Sequence, residues 1–346
     1  MTPRERVLAV LRGEPADKVP FTAYQVFLPQ CAVERRLREE GMCIVNRNVP
    51  AYTIETPDCI TESHTYTEHG RPRERTVIRT PVGEVSSVVE PTENTRWHVE
   101  RLFKGPKDYE VLRYIAGNER CRPTYDEYLA GEKWLGEDVI VRSNVGLSPL
   151  HEIMIMWMGV ETFAVEWAER RDEILKLEKV MREKRRERYR ILADAPITHA
   201  NYGGNEVPEV MGLERFREFC IPLHNECAEM FNAKGKLLGV HLDGNNRLWA
   251  RDVARSGLHY IEAFTPAPDT DMTLAEALEA WPDKVLWINF PSSVHLRSIE
   301  RIKQTTRELI EAASGTGRLI IGITEDVPLD RWQENFLAIS DVINNG

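Results

Sequence analysis

From about residue 138 to its end, the chain alternates short apolar runs with longer amphipathic ones. The short runs are DVIVRSNVG, APITHANYGG, LLGVHLDGN, HYIEAFTP, KVLWINFP and RLIIGITED. Helical spacing marks the stretches between them: IMIMWMGVETFAVEWA, then roughly 171–193, 213–233, LWARDVARSG, TLAEALEAW, 298–314 and 328–343. One strand and one helix recur every 25 to 40 residues or so. A strand that must cross over a helix before the next strand pairs parallel with it. The pattern therefore predicts a closed barrel or a doubly wound sheet. No Gly-x-Gly-x-x-Gly and no Walker loop is present, which removes the usual nucleotide-binding readings.

The first part of the chain is less regular. Thr2 caps a helix over 2–11, with Pro3 in its first turn and Glu5 completing a capping box. Gly13-Glu14-Pro15 stops that helix, and 30–40 reads as another. Residues 76–89 predict a β-hairpin turning at Pro81-Val82-Gly83, an accessory ribbon outside the barrel. Residues 107–117 predict a helix ended by Gly117. We expect one domain over 1–346. Residues 1–137 supply elaborations and the first barrel elements, and 138–346 the regular units.

Composition narrows the classes. The net charge of -10 argues against a nucleic-acid partner. The basic run Lys179–Arg190 is interleaved with Glu and apolar residues, and predicts a solvated helix face. Cys31, Cys43, Cys59, Cys121, Cys220 and Cys227 form no C-x-x-C pair and are expected as free thiols; Cys220 and Cys227 share a helix face as core residues. The charged N-terminus does not read as a secretory signal, and no run is long and apolar enough to span a bilayer. A cytoplasmic enzyme acting on a small molecule is the expectation.

The polar residues that end the apolar runs carry the functional argument. In a strand, residues two apart share a face, so His241 and Asp243 project together. Around them fall Ser143 and Asn144, then His199, Asn201 and Tyr202, then Glu262, Asn289, and Thr324, Glu325 and Asp326. A closed barrel gathers such strand ends around one pocket. His241, Asp243, Glu262 and Glu325 are one nitrogen and three oxygen donors, and catalytic zinc takes three such protein ligands and keeps one position open. The competing reading makes His241 and Asp243 an acid/base pair, with no metal. His199, Asn201, Tyr202 and Asn289 are candidate substrate contacts. Met156 and Trp157 are candidates for an apolar substrate wall, or for helix core.

The segments TPRERVLAVLRGEPADKVPF, FKGPKDYEVLRYI, FREFCIPLHNECAEMFNAKGKLLGVHLDGN and IIGITEDVPLDRW resemble the uroporphyrinogen decarboxylase superfamily, collinearly over nearly the whole chain. The resemblance implies a (β/α)8 barrel with its cleft at the C-terminal strand ends. Two activities come with it: cofactor-free decarboxylation, and zinc-dependent methyl transfer involving a corrinoid protein. The arginine-rich loop of the decarboxylases has no counterpart in Pro20–Pro29, which contains no Arg. The thiol-activating methyltransferases use His-x-Cys and a later Cys. Here His241 matches, Asp243 replaces the first Cys, and Glu325 stands at about the place of the second. Carboxylates leave zinc a harder Lewis acid than thiolates do.

What the resemblance implies is therefore an O-demethylase-like methyltransferase. Zinc held by His241, Glu262 and Glu325, with Asp243 as ligand or orienting group, would polarise the ether oxygen of a small methoxylated, aromatic methyl donor. The methyl acceptor would be cobalt(I) in a corrinoid carried by a separate protein, because no Asp-x-His-x-x-Gly corrinoid motif occurs in this chain. The alternatives are a metal-free lyase of the decarboxylase kind, a tetrapyrrole- or corrinoid-binding module without turnover, and a methylcorrinoid-to-thiol methyltransferase. Monomers and homodimers both occur in the superfamily.

Overall fold

The computed structural model describes residues 1–92 and 95–346. The chain divides into two compact units, and their limits do not follow the division at 137/138. Met1–Ala51, Thr124–Gly146 and Ala195–Gly346 form the first unit; Tyr52–Pro123 and Leu147–Asp194 form the second.

The first unit is built on a wholly parallel sheet. From Phe21–Tyr24 it runs one way through Cys43–Asn46 to Val139–Val141. It runs the other way through Leu319–Ile323, Val285–Asn289, Tyr260–Phe264, Leu237–His241 and His199–Tyr202 to Ser143–Gly146. The two outermost stretches are one run of chain interrupted at Arg142. Its first half pairs with Cys43–Asn46 and its second half with His199–Tyr202. The sheet thus closes on itself as an eight-stranded barrel of the (β/α)8 type. The seam residue joins in, with Arg142 N–H donating to Asn46 C=O at 2.9 Å.

Strands buried on both faces read as continuous apolar runs. Tyr260–Phe264, Val285–Asn289 and Leu319–Ile323 are buried at every position. Contacts between strands that are not neighbours must pass through the barrel interior. Trp287 Nε1 donates to Thr22 Oγ1 at 2.9 Å across such a gap, and Tyr260 Oη donates to the Ala200 carbonyl at 2.8 Å. Gly239 makes room for this layer, since a Cβ there would fall 2.0 Å from the Tyr260 ring. Helix Pro3–Leu11 opens with the Thr2/Glu5 capping box and adds Val7, Val10 and Leu11 to the core around Tyr260, Trp287 and Ile320.

The second unit carries the hairpin. Arg71–Thr80 pairs with Gly83–Pro91, Thr80 opposite Gly83, inside a four-stranded antiparallel sheet completed by Ile60–Glu68 and Arg96–Glu100. Helix Asp108–Asn118 lies along the long helix Arg171–Asp194, with Arg113 paired to Glu173 at 2.6 Å. The basic run on that long helix departs from the expected solvated face. Arg185 and Arg188 are buried, and they pair with Glu152 and Glu119. Alternating Arg and Glu gave the run helical charge pairs, but two of its arginines find carboxylates on other elements instead. All six cysteines are free thiols. Among the described residues no helix is long and apolar enough to cross a membrane.

Candidate active site at the barrel mouth

Glu262, on strand Tyr260–Phe264, is the centre of a buried polar network. Its carboxylate accepts from Tyr24 Oη and Arg142 Nη1, from Asn201 Nδ2 at 2.8 Å, and lies 2.6 Å from His241 Nδ1. Arg142 also donates to Tyr24 Oη at 3.0 Å. These side chains come from five strands, and the Tyr24, Arg142 and Asn201 contacts join strands that are not neighbours. The network therefore fills the barrel interior. Directly after Glu262 the strand slips register against Val285–Asn289, and Ala263 sits at φ +60. A non-glycine residue in that region is strained, and such bulges re-aim side chains beside functional sites.

The charges are fixed by one another. Burial alone would raise the Glu262 pKa, but Arg142 and His241 outweigh it and hold the carboxyl well below its ordinary range. Burial alone would lower the His241 pKa; Glu262 and Asp243 reverse that and lift it well above 6.5. Arg142 is fully charged for the same reason, its burial overcome by Glu262. Near neutral pH the network is an arginine and an imidazolium sharing one carboxylate.

Above it opens a cavity of about 530 Å³. Asp243, Gly244 and Asn245 line it after one strand, Thr265, Asp269 and Thr270 after the next, then Asn289 and Ser292, then Glu325. His241 Nε2 faces Asp243 Oδ2 at 3.5 Å. Asp243 Oδ1 is buried, and no donor among the described residues reaches it. The Glu325 carboxyl is raised above its ordinary value by partial desolvation and then by the negative Asp243 beside it.

The sequence candidates thus separate into groups. His241, Asp243 and Glu262 form one chain of contacts, and Asp243, Glu325 and Asn289 share the cavity. Asn289 also braces the mouth, its Oδ1 accepting from Thr324 N–H at 3.0 Å. Asn201 reaches Glu262 rather than the cavity wall. His199 is completely buried one layer deeper, against Tyr260 and Trp287, and burial drives its pKa down to about 3. Tyr202 points out of the barrel, against His224 of helix Ile221–Asn232. Strand alternation dictates this once Asn201 faces inward. Met156 and Trp157 lie on a π-helical turn, Ile153–Met158, of the second unit; Met156 is exposed and Trp157 buried. Tyr24 and Arg142 are not among the residues that the sequence pattern marks as functional. Their signal was only a Tyr and an Arg inside otherwise apolar strand runs.

The donor chemistry at the mouth suits a divalent cation in one respect and not in another. The orphaned Asp243 oxygen beside His241 Nε2 is what an ion would use. Glu262, expected as a ligand, has its oxygens taken by Arg142, Tyr24, Asn201 and His241. Among the described residues no three His, Cys, Asp or Glu side chains stand grouped as a ligand shell.

No family model matches the chain, and neither does any curated protein. Among solved structures it is similar to a D-psicose 3-epimerase crystallised in the presence of D-fructose, at 12% identity and a TM-score of 0.35 over 69% of this chain and 85% of that one. It is also similar to the pneumococcal virulence factor StrH, at 8% identity and a TM-score of 0.38 over 97% and 85%. Dispersin B follows at 13% identity and a TM-score of 0.31, over 75% and 80%. Likenesses this slight carry no argument about this chain; the barrel rests on its own strand order.

Proposed function

We propose that the chain is an enzyme working at the barrel mouth, and that its reaction is methyl transfer. The methyl group would pass from a small methoxylated aromatic molecule to the cobalt(I) of a corrinoid on a separate protein. The observation that carries this reading is the setting of His241. Its Nδ1 is held by the buried Glu262 carboxylate, and its Nε2 is turned to Asp243 at the cavity. A carboxylate behind an imidazole is the arrangement that orients a metal-ligating histidine. His241 and Asp243 are the contacting pair that would hold zinc, Glu325 in the same cavity lining would have to close on them to complete the set, and Glu262 would be the orienting group instead of a ligand. A zinc held there would supply Lewis acidity to an ether oxygen, which would offset the charge that develops on a departing phenolate.

The rest is done by the chain itself. Glu262, pinned by Arg142 and Tyr24, fixes the imidazole ring and its proton on Nδ1. Asp243 and Glu325 make the mouth electronegative. Asn289 and Thr324 hold the loop that carries Glu325. Elemental analysis and a cobalt(I) methylation assay with methoxylated aromatics test the proposal. About one zinc per chain is expected, lost along with methyl transfer in His241→Ala. A metal-free protein whose transfer survives that change would overturn it. Because ion binding must displace the proton from His241 Nε2, zinc affinity should rise with pH, by up to about tenfold per unit.

The same imidazole favours a second reading. Two carboxylates keep His241 protonated, which suits a general acid in a metal-free lyase. Activity without metal, falling as His241 deprotonates, would select that reading.

A further inference from the structure

We infer that the free edge of strand Ile60–Glu68 is where two copies of this chain join, antiparallel, into one continuous eight-stranded sheet. The inference is independent of the methyl-transfer reading. The strand is the outermost of the four-stranded sheet in the second unit, and no strand among the described residues pairs with its other side. Its register is unbroken: Ile60 to Glu68 lie opposite Arg79 to Arg71 without a slip. All nine residues are exposed. The outward N–H and C=O groups of such an edge are a template for a further strand.

Edges that must stay single are blunted by Lys, by Pro, by brevity or by a bulge. The opposite edge of the same sheet, Arg96–Glu100, is five residues long and faces a register shift in its neighbour. Ile60–Glu68 has none of these devices, and its sequence ITESHTYTE contains neither Lys nor Pro. Its carboxylates do not deter pairing either. Glu62 is paired with Arg79, and Glu68 with Arg73, inside the sheet. Thr61, Thr65 and Thr67 are β-branched and suit a pleated surface.

The strand is also complementary to itself. With Ser63 on a two-fold axis, Ile60 stands opposite Tyr66 of the second copy, Thr61 opposite its Thr65, and Glu62 opposite its His64. Symmetry makes each pair occur twice and closes the assembly at two chains. β-Branched with aromatic, threonine with threonine, and carboxylate with imidazole are pairings that stabilise antiparallel strands. Ile60, Glu62, His64 and Tyr66 share one face, so the matched side chains meet on the same side of the joined sheet. The neighbouring registers lose the match. An axis on Glu62 sets Glu62 against Glu62, and an axis on His64 sets His64 against His64.

Sedimentation velocity of the full chain is the test. The unaltered protein should run as a dimer at about 0.1 mM. Ser63→Lys sets two ammonium groups against each other on the axis, and His64→Glu sets a carboxylate against Glu62 twice. Each should raise the dissociation constant at least about tenfold. His64→Lys should keep the dimer, because a cation still faces Glu62. Within one chain the preference is reversed: His64 lies opposite Arg75, which favours a glutamate there over a lysine. Dissociation of His64→Lys therefore overturns the pairing of His64 with Glu62. A monomeric unaltered protein, or a dimer indifferent to Ser63→Lys and His64→Glu, overturns the interface.

Discussion

His199 and His241 stand on adjacent strands of one barrel, both shielded from solvent, and they are held in opposite protonation states. His199 lies in the lower layer, among Tyr260 and Trp287, where burial leaves it neutral. His241 lies in the upper layer, where Glu262 and Asp243 turn the same burial into a strongly held positive charge. Burial alone does not decide the state of a histidine; what matters is whether a carboxylate is buried with it. The lower layer is a packed core in the ordinary sense. The upper layer holds an ion network that a core would not need.

The largest expected effect comes from removing the upper layer's shared anion. Glu262→Leu leaves Arg142 buried without its counter-ion and should cost about 3–5 kcal/mol, read by urea denaturation. A loss no larger than that of an ordinary core substitution would mean that the network is not closed as described. Next, Gly239→Ala strikes the lower layer, driving a methyl into the Tyr260 ring. It should cost about 1–3 kcal/mol while leaving the His241 pKa, read by NMR, where it is.

The pH dependence of stability separates the layers by sign. The His241 pKa is raised on folding, so its contribution is fully present below about 6.5 and is lost as pH rises through the raised value. The His199 pKa is lowered to about 3, so its contribution is present above about 6.5 and is lost as pH falls toward 3. Each slope is at most about 1.4 kcal/mol per pH unit. Denaturation curves of His241→Gln and His199→Gln should each flatten one side of the profile only. The smallest effect is that of Thr22→Val, which leaves Trp287 Nε1 without its acceptor. It should cost about 1 kcal/mol, with no change in ligand binding at the mouth.

The same two layers show what a sequence reader can reach. The alternation of strands and helices is local, so the barrel was legible from residue 138 onward. The shared face of His241 and Asp243 followed from a period of two. That period also sends Tyr202 outward once Asn201 is known to face in, but which of the two faced in was not written locally. Tyr24, Arg142 and Glu262 meet across 118 to 238 residues of chain, and only closure of the sheet brings them together. Strand Ile60–Glu68 stayed hidden for another reason. It is exposed along its whole length, so no apolar alternation marks it.

Arg142 interrupts the strand that closes the barrel, and it is also the counter-ion of Glu262. The last joint of the scaffold and the first charge of the site are thus one residue. A partly assembled sheet, open at that joint, leaves Glu262 and His241 to pair without their arginine. An insertion or deletion within 139–146 does not merely loosen a wall; it retunes the acid strength of an imidazole two strands away.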